Sequence, residues 1–375
     1  MELAEIFRRY AAQYRARFAA RMLPSHLRAL HDIERCRTEQ LGGQVYFCQP
    51  CQRLVYAYHS CKNRHCPKCQ NERAQAWLAQ QRALLLPVPH FLVTFTLPSE
   101  LRALARSHQR TLYNLLFQSS AQALQTLAKD PRFAGGEIGL IGVLHTWRRD
   151  LRYHPHVHFL VPGGALSADH STWLPARADF LVPATALSPI FRAKFRDALS
   201  QHRDLFNSVP KTTWAKDWVV HLKAVGSGQH ALAYLARYVF RVALCNSRLV
   251  KLENNHLTFS YREAKTQRTR FCTLPALSFI ARFLQHVLPK GFVKVRYYGL
   301  FCPAKRKLLA VVRYVLRASI PAPGSSPPLA LPPRCPNCGA PLTLHKTLPP
   351  QPRAPPRLRF ALNTALDPVQ RAPTA

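Results

Sequence analysis

Apolar positions along this chain recur at two spacings, and the alternation between them lays out its elements. Residues 1 to about 30 place apolar side chains at helical intervals among many arginines, which predicts a basic amphipathic helix. QNERAQAWLAQQRALLL, 70–86, keeps helical composition until Pro87 and Pro89 stop it. HFLVTFTL, 90–97, reads as a buried strand, and the spacing of Leu112, Leu115, Leu116, Leu124 and Leu127 predicts a long helix from about 100 to 129. EIGLIGVLHTW, 137–147, and YHPHVHFLVP, 153–162, are strand-like segments separated by the polar RRDLR, the pattern of a hairpin.

Further on, 187–206 reads as a helix, 217–225 as a strand, and Gly226 and Gly228 as a turn into a helix that carries ALAYLARYVF. Strands are expected at 256–263 and 291–301, and helices at 274–288 and from about 303 to 319. Strands arrive singly between helices, with one hairpin and no Gly-rich phosphate loop. This order predicts an α+β fold with a mainly antiparallel sheet and flanking helices rather than a doubly wound sheet.

Composition divides the chain further. The expected units are a basic helical segment at 1–30, a metal-organised module with its connecting helix at 31–86, a main domain at 87–320 and a tail at 321–375. That tail holds 15 of the 31 prolines and reads as largely disordered, apart from half a zinc knuckle at CPNC, 335–338, near His345. Lys and Arg number 53 against 18 Asp and Glu, a net charge of +35 spread along the chain, which points to a polyanionic partner. A membrane partner is not expected, because no run of 18 apolar residues occurs and the start lacks the pattern of a signal peptide. The expected compartment is the cytoplasm, where eleven cysteines call for an explanation other than disulfides.

Six of those cysteines fall between Cys36 and Cys69. CQPC, 48–51, and CPKC, 66–69, each present two thiols at knuckle spacing, so Cys48, Cys51, Cys66 and Cys69 are expected to form one four-sulfur Zn²⁺ site of structural type. His31, Cys36, His59, Cys61 and His65 could supply a second ion, with Cys36, Cys61 and His65 the candidates. Arg64 and Lys68 would project from this small frame toward nucleic acid.

HPHVHFLV, 154–161, has imidazoles at alternate positions, and strand parity puts His156 and His158 on the face opposite Val157 and Phe159. Two neutral imidazoles suit a divalent ion with positions left open for substrate. His154 shares the parity, although Pro155 can turn it aside, and His145 of the preceding strand can reach across the hairpin. Tyr234 and Tyr238 are four apart on one helical face beside the apolar stripe, near Arg237 and Arg241. A phenol next to a cation and arginines can attack a phosphodiester, leaving a 5′-phosphotyrosine and a free 3′-hydroxyl. Arg148, Arg149 and Arg152 are candidate phosphate contacts.

SCKNRHCPKCQ at 60–70, LLPVPHFLVTFTLP at 85–98, VLHTWRRDLRYHPHVHFLVPGG at 143–164 and YLARYVFRVALCNSRL at 234–249 closely resemble the IS91 family of transposases, insertion-sequence enzymes of the HUH superfamily. The resemblance runs from about residue 30 to 317. It implies a zinc-binding N-terminal domain and a nuclease domain whose sheet carries the histidine pair, here His156 and His158. It also implies the two-tyrosine role for Tyr234 and Tyr238, with Tyr238 in the RYVFR run the first choice, and rolling-circle-like movement through single-stranded DNA. Val239 and Phe240 stand where the family usually has Thr-His, and Arg149 near its usual Gly. The third metal ligand does not follow from the match, and His154, His145 and His230 stay open.

These readings together predict a bacterial transposase that nicks single-stranded element ends and joins them to target DNA, with Mg²⁺ or Mn²⁺ as the catalytic ion. Two alternatives remain: a plasmid replication initiator or relaxase of the same chemistry, and a zinc-dependent DNA-binding regulator without catalysis. The oligomeric state is not legible.

Overall fold

The computed structural model describes residues 1–239, 244–263, 266–318 and 333–352, apart from the side chains of Arg237 and Tyr238. Two helices, α1 (Leu3–Phe18) and α2 (Pro24–Glu34), precede a hairpin of β1 (Gly43–Cys48) and β2 (Arg53–Tyr58), and α3 (Asn71–Arg82) follows. β3 (His90–Thr96) leads to α4 (Arg102–Ser107), α5 (Gln109–Ala128) and the strands β4 (Gly139–Trp147) and β5 (Tyr153–Pro162). A ribbon of β6 (Gly164–Leu166) and β7 (Trp173–Pro175) comes before α6 (Ala184–Ser200), α7 (Arg203–Asn207), α8 (Thr212–Ala215) and β8 (Val220–Ala224). Then come α9 (Gln229–Val239), the strands β9 (Leu249–Glu253), β10 (His256–Arg262) and β11 (Thr269–Pro275), and α10 (Ala276–Leu284). β12 (Val295–Gly299), α11 (Arg306–Val315) and β13 (Thr343–Leu348) complete the order.

A Cys-rich region thus precedes a larger sheet-and-helix region. The central sheet has the order β12-β4-β5-β3-β8, and every neighbouring pair is antiparallel. Strand alternation gives it two apolar faces. Phe91, Val93 and Phe95 of β3 and Val157, Phe159 and Val161 of β5 pack on one face against Leu112 and Leu116 of α5 and Phe191 and Phe195 of α6. Ile141, Val143 and Leu160 cover the other face, under Leu232 and Leu235 of α9, Leu309 and Val312 of α11 and Leu78 of α3. Parity therefore sends His156, His158 and His145 toward the α9 side. Gly228, at φ +75°, opens α9, and a Cβ there would stand 2.9 Å from the His90 ring, so only glycine lets the helix start so close to the sheet.

Two unit expectations are corrected. Residues 1–30 are not a separate basic segment: Ile6 and Phe7 of α1 and Leu30 and Ile33 of α2 share a core with Phe259 of β10 and Phe279 and Phe283 of α10. Phe7 meets Phe283 edge to face at 5.4 Å, and the arginines of α1 stay on its outer side. The chain also returns after its proline-rich stretch, because β13 pairs with β1 from Gly43↔Leu348 to Phe47↔Thr343. Residues 321–332 and 353–375 of the expected tail lie outside the described residues. Among the described residues, no helix is long and apolar enough to cross a membrane.

Candidate active site and metal centres

His145 and His156 are direct cross-strand partners in β4 and β5, and His158 follows two residues on. One ligand nitrogen from each of the three lies within 4.8 Å of the others. The His156 Nδ1–H donates to the His154 carbonyl at 2.7 Å, which leaves Nε2 as the lone-pair donor. His158 Nδ1 lies 2.7 Å from Thr94 Oγ1, on the residue opposite it in β3, while its Nε2 is buried with no hydrogen-bond partner among the described residues. Burial first, and the neighbouring imidazoles second, hold His145 and His158 well below the ordinary histidine value, and burial pushes His156 down to about 4. Near neutral pH the three rings are therefore uncharged and able to ligate a cation. Three nitrogens fit a divalent ion with coordination positions left over, and of the two expected ions Mn²⁺, softer than Mg²⁺, is the better match.

Tyr234 of α9 stands over this cluster, its ring centroid 6.3 Å from that of His158 and 6.4 Å from that of His145. It is 38% exposed and lines a cleft of about 350 Å³ together with the three histidines. Five arginines, Arg148, Arg149, Arg152, Arg248 and Arg262, line the same cleft against two carboxylates, Asp150 and Glu263. The β4–β5 turn supplies the first three: Arg148 N–H donates to the Arg152 carbonyl, and Leu151 takes a φ of +63° to close the loop. Arg248 ties the wall together by donating to the carbonyls of Ser260 and Arg149. Trp147 stacks on His145 at 5.5 Å and lines the same cleft.

The cysteines form two quartets, and the expected pairing of CQPC with CPKC is corrected. Cys36, Cys61, Cys66 and Cys69 converge in one group, with sulfurs 3.3–3.6 Å apart where bonded. Cys48 and Cys51 instead meet Cys335 and Cys338. Cys48 and Cys51 sit at the tip of the β1–β2 hairpin, whereas Cys61, Cys66 and Cys69 lie beyond the far end of β2. A six-residue strand separates the two ends by roughly 17–20 Å. Four sulfurs on a tetrahedron around Zn²⁺ stand about 3.8 Å apart, so both quartets suit structural zinc. In the first, hydrogen bonds from Cys61 and Cys66 lower the Cys36 thiol to about 7.

Other expected residues lie elsewhere. His65 is in neither quartet; its Nε2 accepts from the Leu288 N–H at 3.3 Å, inside the interface with the main sheet region. His154 is outside the histidine triad, because its Nδ1 accepts from Arg102 Nη2 at 3.0 Å. His230 is exposed at the start of α9 and joins no ligand group. Arg64 donates to the Phe292 carbonyl at 2.7 Å, which binds the N-terminal region to the main sheet region, and Lys68 pairs with Glu2 inside the N-terminal region, so both are engaged within the fold instead of projecting from it. Arg241 and the side chains of Arg237 and Tyr238 lie outside the described residues. Thr94, Arg102, Arg248 and Arg262 were missed. Only Thr94 had a signal, its parity with His158 in a neighbouring strand.

Comparison with known proteins agrees with this layout. Residues 6–97 match a family described as "Transposase zinc-binding domain", and residues 139–308 match one described as "Putative transposase". The chain is 38% identical over 345 residues to "Putative transposase y4qJ" of Sinorhizobium fredii, covering 87% of this chain and 86% of that one. It is 29% identical over 338 residues to "Transposase for insertion sequence element IS801" of Pseudomonas savastanoi pv. phaseolicola, covering 81% and 80%. No solved structure matches it significantly.

Proposed function

Since this chain belongs to the IS91-type transposases of the HUH superfamily, we propose that its DNA-mobilising activity is single-strand nicking and strand transfer through Tyr234, in an HUH-type nuclease domain. The observation that carries this reading is the position of the Tyr234 ring, 6.3 Å from His158 and 6.4 Å from His145, at the mouth of an arginine-lined cleft.

Single-stranded DNA at an element end enters the cleft with its backbone against Arg148, Arg149 and Arg152. His145, His156 and His158 would hold the divalent ion, Mg²⁺ or Mn²⁺, which supplies charge to the scissile phosphate. The Tyr234 oxygen attacks phosphorus, the bond to the 3′-oxygen breaks, and the 5′-phosphate stays on the phenol as the 3′-hydroxyl leaves. The new ester keeps the energy of the broken bond, so a target 3′-hydroxyl reverses the step and joins the strands without a nucleotide cofactor. Tyr238, one turn further along α9, is the second nucleophile of the two-tyrosine scheme. Cys36, Cys61, Cys66 and Cys69 hold structural Zn²⁺ and fix the N-terminal module.

The test is incubation of the full chain with a labelled single-stranded element end and Mn²⁺, followed by denaturing electrophoresis. A covalent adduct that EDTA abolishes, that Y234F removes or shifts wholly to Tyr238, and that the Y234F/Y238F pair eliminates supports the proposal. Salt-sensitive binding with no adduct in any metal overturns it in favour of a non-catalytic regulator.

A further inference from the structure

We propose that Cys48, Cys51, Cys335 and Cys338 bind a second Zn²⁺, which fastens residues 333–348 onto the N-terminal hairpin and makes the two ends of the chain one module. The four sulfurs come from segments about 290 residues apart and still lie within 4.8 Å of one another, Cys48 to Cys338 at 3.5 Å and Cys51 to Cys335 at 4.0 Å. Disulfides are a different geometry, with sulfurs about 2.05 Å apart; all eleven cysteines are free.

Both knuckles are built for the purpose. The Gly339 N–H donates to the Cys335 carbonyl and the Cys335 N–H to the Ala340 carbonyl, with Gly339 at φ +73°. Gln52 takes φ +48° at the hairpin tip, and Asn337 Nδ2 donates to Cys51 Sγ at 3.4 Å. Binding forms four sulfur–zinc bonds and releases the thiol protons, with no change of oxidation state.

Packing alone does not hold this sheet. Its local core consists of Cys48, Cys335 and Leu342, with Tyr46, Cys51, Val55 and Ala340 half-buried around them. Five of the six residues of β13 are exposed, so little apolar area opposes the entropy of ordering the returning segment. Small modules of this kind need a staple. A metal at the quartet meets that need independently of any nicking chemistry.

The test is zinc per chain, measured by elemental mass spectrometry on the full protein. We expect two zinc ions in the wild type and one in C335S/C338S. Hydrogen exchange gives a second readout: amides of 343–348 should exchange at least ten-fold faster in C335S/C338S while those of β4 and β5 keep their rates. Should that variant aggregate, alkylation of the wild type read by peptide mass spectrometry replaces it, with Cys335 and Cys338 slow before zinc removal and fast after. One zinc in the wild type, two retained in C335S/C338S, or Cys335 and Cys338 alkylated rapidly in the zinc-loaded protein would overturn the proposal.

Discussion

Around His145, His156 and His158 three nitrogens face a cleft that stays open to Tyr234 and to a wall of arginines, whereas each cysteine quartet surrounds its centre with four sulfurs. Three donors from one hairpin leave coordination positions for a substrate oxygen; four thiolates leave none. The frames differ as well. The histidines stand on two strands already held in a five-stranded sheet with core on both faces. The quartet of Cys48, Cys51, Cys335 and Cys338 joins segments that have little else to hold them, while that of Cys36, Cys61, Cys66 and Cys69 ties the loop after β2 into the core shared by α1, α2 and α10. A cation at the first site is therefore expected to serve reactivity, and cations at the others to serve folding.

The strongest way to break this contrast is C36S/C66S. Loss of a four-thiolate zinc site removes on the order of 10 kcal/mol of binding energy, and circular dichroism and proteolysis should report unfolding of the module around α2 and α3. H156A/H158A should instead leave the melting temperature within a few degrees of wild type and lower the rate of adduct formation at least about a thousand-fold. If that pair unfolds the main sheet, the triad is structural and the contrast fails.

Acid sharpens the comparison through histidines that serve neither centre. Burial lowers His90 and His286 to about 4, so between pH 6.5 and 4 the unfolded chain binds protons that the folded chain refuses. Their stabilisation is complete above pH 6.5 and declines as pH falls through that window, by up to about 3 kcal/mol each. Urea melts from pH 7 to 4.5 should show a falling midpoint; H90Q or H286Q should flatten the slope. T94V should weaken divalent-ion affinity about ten-fold by freeing the His158 ring, with little effect on zinc content. The smallest effect belongs to R148A and R152A. Each should weaken single-stranded DNA binding about three- to ten-fold and reduce the salt slope by about one, measured by fluorescence anisotropy.

Much of the central sheet was legible because its strands have two buried faces. HFLVTFTL and YHPHVHFLV are continuous or alternating apolar runs, and the parity of His156 and His158 follows from them. Their convergence with His145 was an open choice in the sequence, since it depends on the register that sets His145 opposite His156. The hairpin β1–β2 was hidden by its own cysteines: GQVYFC and RLVYAY are rich in β-branched and aromatic residues as strands are, but the knuckle spacing pointed to metal alone. β9 and β11 are weak signals because their outer positions are exposed, as in VKLE and TRFC. β13 lies in a proline-rich context that reads as disorder, and no local pattern announces that its partner is β1. Arg64 and Lys68 show the limit of reading charge, for their partners, the Phe292 carbonyl and Glu2, are brought in by tertiary packing.

The pairing of β1 with β13 also fixes when the molecule can be finished. On the ribosome, Cys48 emerges about 290 residues before Cys338, an interval on the order of 15–60 s at ordinary elongation rates. Throughout that interval the nascent β1 edge has no β13 beside it and two thiols wait without their partners. The hairpin module is thus made early and matures late, and a message broken before the codon for Cys335 yields a polypeptide in which that module stays incomplete.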